Sequence, residues 1–140
     1  VEVGYNARID NFQSNIVLAK LPYLAGWLKR KQEIANYYTE SLIDHVWIPP
    51  IEPGNTHSYY VYVIQTKNRD KLKQHLAELE IRTNIHYAIT PHQQPAYIRY
   101  SSPCPVAEKT VNEILSLPCW YSMTDSEVEY VADSVLSWLK

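Results

Sequence analysis

Apolar residues fall at helical spacing over the first third of the chain. Ile9, Phe12, Ile16, Val17 and Leu21 recur every three or four positions, the stripe that one face of a helix requires. Asp10 stands in front of them as an N-cap, with Gln13 three residues on, the spacing of a capping box. Pro22 interrupts the stripe: it either kinks one long helix or takes the first position of a second. Leu24, Trp27, Leu28, Lys31, Ile34, Ala35, Tyr38 and Leu42 then carry the same period onward. The pattern predicts a helical arm over 10–44, bent or broken near 22, behind an extended lead-in over 1–9.

The period changes after that arm. Trp47 to Asn55 holds three prolines and a glycine, a linker of polyproline and turn character within 45–56. His57 to Thr66 is β-branched and aromatic throughout and reads as the strongest strand. A helix opens at Asn68 or Arg69 with Leu72, Leu76 and Leu79 on one face, and Ile81 to Tyr87 reads as a second strand. The stretch from Arg82 to Tyr97 runs from that strand into a loop punctuated by Pro91 and Pro95, which argue against a helix. Residues 98–105 read as irregular, and Val106, Val111, Ile114 and Leu115 as a short helix. Ser116 to Cys119 is a short extended piece that Pro118 places at an edge or a strand end. Thr124 caps a last helix with Glu127 at the box position, and Val128, Val131, Val135, Trp138 and Leu139 form its buried stripe. The fold class expected is α+β: a small, mostly antiparallel sheet with packed helices over 57–140, carried on a long N-terminal helical arm.

Composition narrows the function. A single domain is the natural reading of 140 residues. Thirteen basic against fifteen acidic residues leave a net charge of -2, which gives no case for nucleic acid or an anionic membrane. No apolar run approaches the roughly 18 residues of a membrane span, no signal peptide is read at the start, and Cys104 and Cys119 read as free thiols of a cytoplasmic protein. Three glycines cannot build a phosphate loop. Twelve tyrosines and four tryptophans supply far more aromatic surface than a domain this small needs, the composition of a face that meets another protein.

Candidate chemistry concentrates in two places. His86, Tyr87 and His92 sit on the strand end and loop, a position suited to facing a substrate. His86 and His92 have no third ligand nearby in sequence, so no metal site is expected. Neither Ser101 nor Cys104 lies in a nucleophile context, and Tyr59 to Tyr62 lacks the basic neighbours of a base-stacking platform. The second place is Gly4 to Arg8. Asn6 brings an amide donor and Arg8 a five-donor fork. Two readings fit: a grip on phosphate or carboxylate, or local capping with a surface ion pair.

Taken in order, these segments resemble the PLP-dependent sugar aminotransferases of the DegT/StrS type. Gly4, Asn6, Arg8, Asp10 and Gln13 are similar to that family's Gly-x-Asn-x-Arg-hydrophobic-Asp pattern ahead of a helix. The tyrosine-rich strand, Arg69-Asp70, the stretch from Thr83 to Tyr97, and Ile114 to Pro118 before a Met-Thr helix start match in the same order. The chain departs from the family at Glu80, where Gly is usual, and at Pro22, where the family helix runs on.

The resemblance implies the C-terminal small domain of a fold type I PLP enzyme, whose large PLP-binding domain would lie upstream. It implies transfer of an amino group, commonly from glutamate, to a keto sugar nucleotide, in a homodimer whose sites draw on both subunits. Asn6 would reach the PLP phosphate of the partner subunit, Arg8 the amino donor's carboxylate, and His86 and Tyr87 the sugar nucleotide, with His92 supporting them. None of the eight lysines occupies the family's Schiff-base context, so no catalytic residue is assigned and the chain alone is expected to be inactive. The alternatives are a sugar dehydratase on the same scaffold and a stand-alone module for small-ligand binding or dimerisation.

Overall fold

The N-terminal arm forms as its caps dictate. In the computed structural model, which describes residues 8–139, Asp10 accepts the Gln13 N–H at 2.8 Å while Gln13 Oε1 accepts the Asp10 N–H at 3.4 Å. Helix α1 runs over Asn11–Lys20 and α2 over Leu24–Leu42. Pro22 lies in the 3-10 turn Leu21–Tyr23 that joins them, where its missing N–H is tolerated. The two helices differ in what they bury. Helix α2 buries Ile34, Ala35, Tyr38 and Leu42 on one stripe, whereas α1 buries nothing.

The sheet is smaller than the sequence pattern suggests. Strand β1 is Tyr62–Gln65 and β2 is Ile114–Leu117, paired antiparallel with Tyr62 opposite Leu117 and Gln65 opposite Ile114. Single bridges extend it on either side, Trp47 to Gln65 and Asn84 to Ser116. The strand expected over 57–66 is thus shortened at its start. Tyr59 takes a left-handed φ of 46°, its N–H donates to His57 Nδ1 at 2.9 Å, and its ring is buried against Tyr62. Backbone turned in on a side chain in this way cannot enter a ladder.

The strand expected over 81–87 is likewise reduced to the one bridge at Asn84, because the chain turns away after Ile85 into the 3-10 turns Pro91–Gln93 and Ile98–Tyr100. Ile114 and Leu115, expected in a helix, belong to β2. Helix α4, Pro105–Val111, ends before them, and the buried Arg69 receives the strand's first carbonyl, its Nη1 donating to Ile114 O at 3.0 Å. Of the two places expected from Pro118, the strand end is the one found: Pro118 follows Leu117, the last residue of β2, while Ser116 faces Val63 of β1 on one side and Asn84 on the other.

Helix α3, Arg69–Glu78, buries Leu72 and Leu76. It closes with a Schellman motif, the Ile81 N–H reaching Leu76 O at 2.8 Å and the Glu80 N–H reaching Ala77 O at 3.1 Å. Glu80 holds the left-handed position at φ 60°. Helix α5, Asp125–Leu139, starts on the Thr124–Glu127 box. The Thr124 N–H donates to Glu127 Oε2 at 2.8 Å, and this bond with the one from the Thr124 hydroxyl holds the Glu127 carboxyl below its ordinary pKa. Val128, Val131 and Val135 enter the core, while Trp138 and Leu139 are partly buried against it. Arg30 of α2 clasps the start of α5, donating to Met123 O and to Asp125 Oδ1, each at 2.7 Å.

The core has a polar seam. Tyr38 donates its hydroxyl to Pro118 O at 3.0 Å, and Tyr62 shares a 2.8 Å bond with Thr39. Burial raises both phenols, Tyr62 to about 12, so both stay protonated at neutral pH.

A left-handed conformation costs a non-glycine residue roughly 1 kcal/mol, so Glu80→Gly is expected to stabilise the protein by about that amount. Glu80→Ala, with its Cβ kept, is expected to stay within about 0.5 kcal/mol. Denaturant unfolding of both variants in the full-length protein checks this.

Candidate functional site

Ser116 organises the cluster that includes His86. Its backbone exchanges both hydrogen bonds with Asn84, at 2.8 and 3.2 Å, which brings residues 84–86 alongside β2. His86 Nδ1 then lies 2.9 Å from Ser116 Oγ, and His86 Nε2 lies 3.3 Å from Asn84 Nδ2. The Tyr60 and Tyr87 rings approach the imidazole edge-on, with centroids at 6.4 and 5.5 Å. A cavity of about 210 Å³ opens here, lined by Tyr60, Arg82, Asn84, His86, Ser116 and Trp120 among others. Its chemistry is one guanidinium, neutral hydrogen-bonding groups and two aromatic faces, a set suited to a polar ligand with an anionic part. No lysine lines it.

A larger hollow, about 620 Å³, lies between α2 and residues 48–63. None of Arg8, His86, Tyr87 or His92 lines it, and four of its polar side chains are engaged in pairs, Gln32 with Asn36 and Thr39 with Tyr62, each at 2.8 Å.

The other expected residues fall elsewhere. Tyr87 follows His86 and is exposed. His92 does not line the His86 cavity. It sits 2.9 Å from Glu108 Oε1, which also accepts the Cys104 N–H at 3.0 Å, so a single carboxylate caps α4 and pins the 90–104 loop. The Cys104 N–H first, then His92, hold the Glu108 carboxyl below its ordinary pKa. Arg8 is exposed ahead of α1 and lines no part of the cavity. Asn6 lies outside the described residues. Among the described residues no cluster of metal-ligating side chains occurs, and no helix is long and apolar enough to cross a membrane.

Asn84, Ser116, Arg82, Tyr60 and Trp120 are the site residues that the pattern did not single out. A usable signal existed for Ser116: it is the one polar residue within the apolar run Ile114-Leu115-Ser116-Leu117.

The arm presents a further surface. Phe12 is 76%, Leu18 62% and Leu21 54% exposed, and Ile9, Ile16, Val17, Tyr23, Leu24 and Leu28 extend the same apolar expanse. An apolar surface this extensive marks an interaction site.

Comparison with known proteins identifies the family. Residues 1–136 match the DegT/DnrJ/EryC1/StrS aminotransferase family. The dTDP-3-amino-3,6-dideoxy-alpha-D-galactopyranose transaminase of Aneurinibacillus thermoaerophilus is 36% identical over 94% of the chain and 37% of its own length. Among solved structures, a DegT DnrJ EryC1 StrS aminotransferase from Brucella abortus superposes with a TM-score of 0.89 at 32% identity, covering 99% of the chain and 38% of that protein. DesV from S. venezuelae gives a TM-score of 0.90 at 26% identity, covering 98% and 38%. The chain therefore spans less than two fifths of the length of these relatives.

A carboxyl whose pKa is lowered by folding contributes stability above its unfolded pKa and loses it as pH falls through the lowered value. The Glu108 clasp is therefore expected to be complete at neutral pH and to open on acidification below the ordinary carboxylate range. Amide exchange at Cys104, corrected for its intrinsic pH dependence, should rise there. Glu108→Gln, which keeps the bond from Cys104 but not the charge, should flatten the response.

Proposed function

Because the chain belongs to the DegT/DnrJ/EryC1/StrS aminotransferase family, we propose that it is the C-terminal domain of a PLP-dependent aminotransferase. The reaction moves an amino group from glutamate to the keto group of a nucleotide-linked sugar. The family match across residues 1–136 carries this reading, and the identity to a dTDP-sugar transaminase supports the substrate class.

The residues divide the work by their chemistry. Asn6 carries amide N–H donors, the groups a cofactor phosphate accepts from. Arg8, exposed at the head of the arm, offers a bidentate partner for the amino donor's carboxylate. His86 and Tyr87 border the sugar nucleotide, with Arg82 the cation of the cavity that His86 lines. His92, tied to Glu108, holds the loop that follows them. The cavity's neutral polar groups and guanidinium fit a role in holding a phosphate-bearing partner. PLP, when bound, supplies the electron sink for the exchange. The apolar arm suits burial against the cofactor-bearing domain and a second subunit of a cytoplasmic homodimer.

The test uses the full-length protein with PLP, glutamate and a set of dTDP- and UDP-linked keto sugars. Amino transfer to one of them is expected. His86→Gln should raise KM for the sugar nucleotide about tenfold, a loss of roughly 1.4 kcal/mol of contact with the ligand, and Arg8→Ala should raise KM for glutamate. The 1–140 chain alone is expected to transfer nothing. Dehydration in place of transfer, or activity of the isolated chain, would sink the reading.

A further inference from the structure

The hydrogen bonds around His86 determine where its proton sits. The Ile85 N–H lies 2.8 Å from Asn84 Oδ1. A backbone N–H can only donate, so the atom facing it must be the amide oxygen and the Asn84 orientation is settled. Asn84 Nδ2, a donor without a lone pair, is therefore the atom 3.3 Å from His86 Nε2. Nε2 must meet it as an acceptor, which leaves the proton on Nδ1. Nδ1 is 2.9 Å from Ser116 Oγ, an oxygen able to accept it. Ser116 is buried on β2 and fixed by backbone pairing to Asn84, so both clamps hang from one rigid bridge.

We propose that Asn84 and Ser116 are positioning residues that hold His86 as a neutral Nδ1–H imidazole in the substrate site. The inference rests on the reading of His86 as a sugar-nucleotide contact. Held in this way, the ring offers the cavity no N–H. It cannot bind a phosphate oxygen by donation or deliver a proton from Nε2, and with the Nε2 lone pair engaged by Asn84 it serves as an aromatic wall beside Tyr60 and Tyr87. Recognition of an anionic group then falls to Arg82, which lines the same cavity. A hydrogen-bond partner on the far side of the ring that selects a histidine tautomer is a general device. Here it is built from an amide and a hydroxyl rather than a carboxylate, so the clamp adds no charge.

The experiment reads the ring directly. The full-length PLP-loaded protein is prepared with ring-15N histidine, and His86 is assigned by solid-state NMR from the signals lost in His86→Gln. The expected spectrum at neutral pH shows a protonated Nδ1 and a bare Nε2. Asn84→Asp replaces the donor facing Nε2 with an acceptor, and Nε2 should gain a proton. Asn84 is exposed, so this variant tests the clamp without disturbing the core. Ser116→Ala should give a mixture of tautomers, and Ser116→Thr should restore the single form. In turnover, Ser116→Ala should raise KM for the sugar nucleotide about three- to tenfold with kcat within about twofold, the pattern of lost ground-state positioning. A protonated Nε2 in the unmodified protein, or a ring spectrum unchanged by both Asn84→Asp and Ser116→Ala, overturns the clamp. The expected tautomer together with an unchanged KM in His86→Gln supports the clamp and overturns the sugar-nucleotide reading, so the two failures are told apart.

Discussion

The structure depends on the buried meeting of Tyr38 with the ends of both strands. The Tyr38 ring packs 5.1 Å from that of Tyr62 in β1, and its hydroxyl takes the carbonyl of Pro118 just beyond β2. Two strands of four residues are marginal by themselves. They persist here because α2 supplies both an apolar wall and the one donor that the carbonyl past the strand end needs. Losing that donor would leave a buried carbonyl unpaired, a cost of about 1–3 kcal/mol. The position of β2 in turn sets Ser116, and Ser116 sets Asn84 and His86. The path from core packing to the candidate site therefore runs through a single hydroxyl.

What the sequence made legible was what is decided locally. The Asp10–Gln13 and Thr124–Glu127 boxes lie within one turn of their helices, and both helices begin where those residues place them. The buried stripe of α2 follows its period because only one face of it meets the core. The strands are shorter than their sequence runs. A β-branched and aromatic run states a preference, but pairing needs a neighbour, and Tyr59 folds back on His57 before a neighbour is reached. Ile114 and Leu115 continued a helical spacing by chance, and the partner that claims them, β1, lies far away in sequence.

The candidate site was legible in part for the same reason. His86 and Tyr87 stand out as residue types in a loop, whereas Asn84 and Ser116 are ordinary polar residues until a non-local bridge joins them. The role of Glu108 is equally invisible in sequence, since it depends on His92 arriving from across a loop. Arg69 opens its helix as expected, and is also the buried donor that finishes the turn into β2. In each case the missing information was a partner, not a propensity.

The β1–β2 pairing closes a loop of roughly fifty residues between Gln65 and Ile114, and the His86 segment lies inside it. Closure entropy grows only with the logarithm of loop length, so doubling such a loop costs roughly 0.6 kcal/mol more. Residues 87–104 can therefore lengthen, shorten or change composition at almost no expense to the sheet that anchors them. That gives a lineage built on this scaffold a cheap place to explore new ligands. The rim of the site is free to drift while Ser116, inside the closed ladder, keeps the imidazole in register.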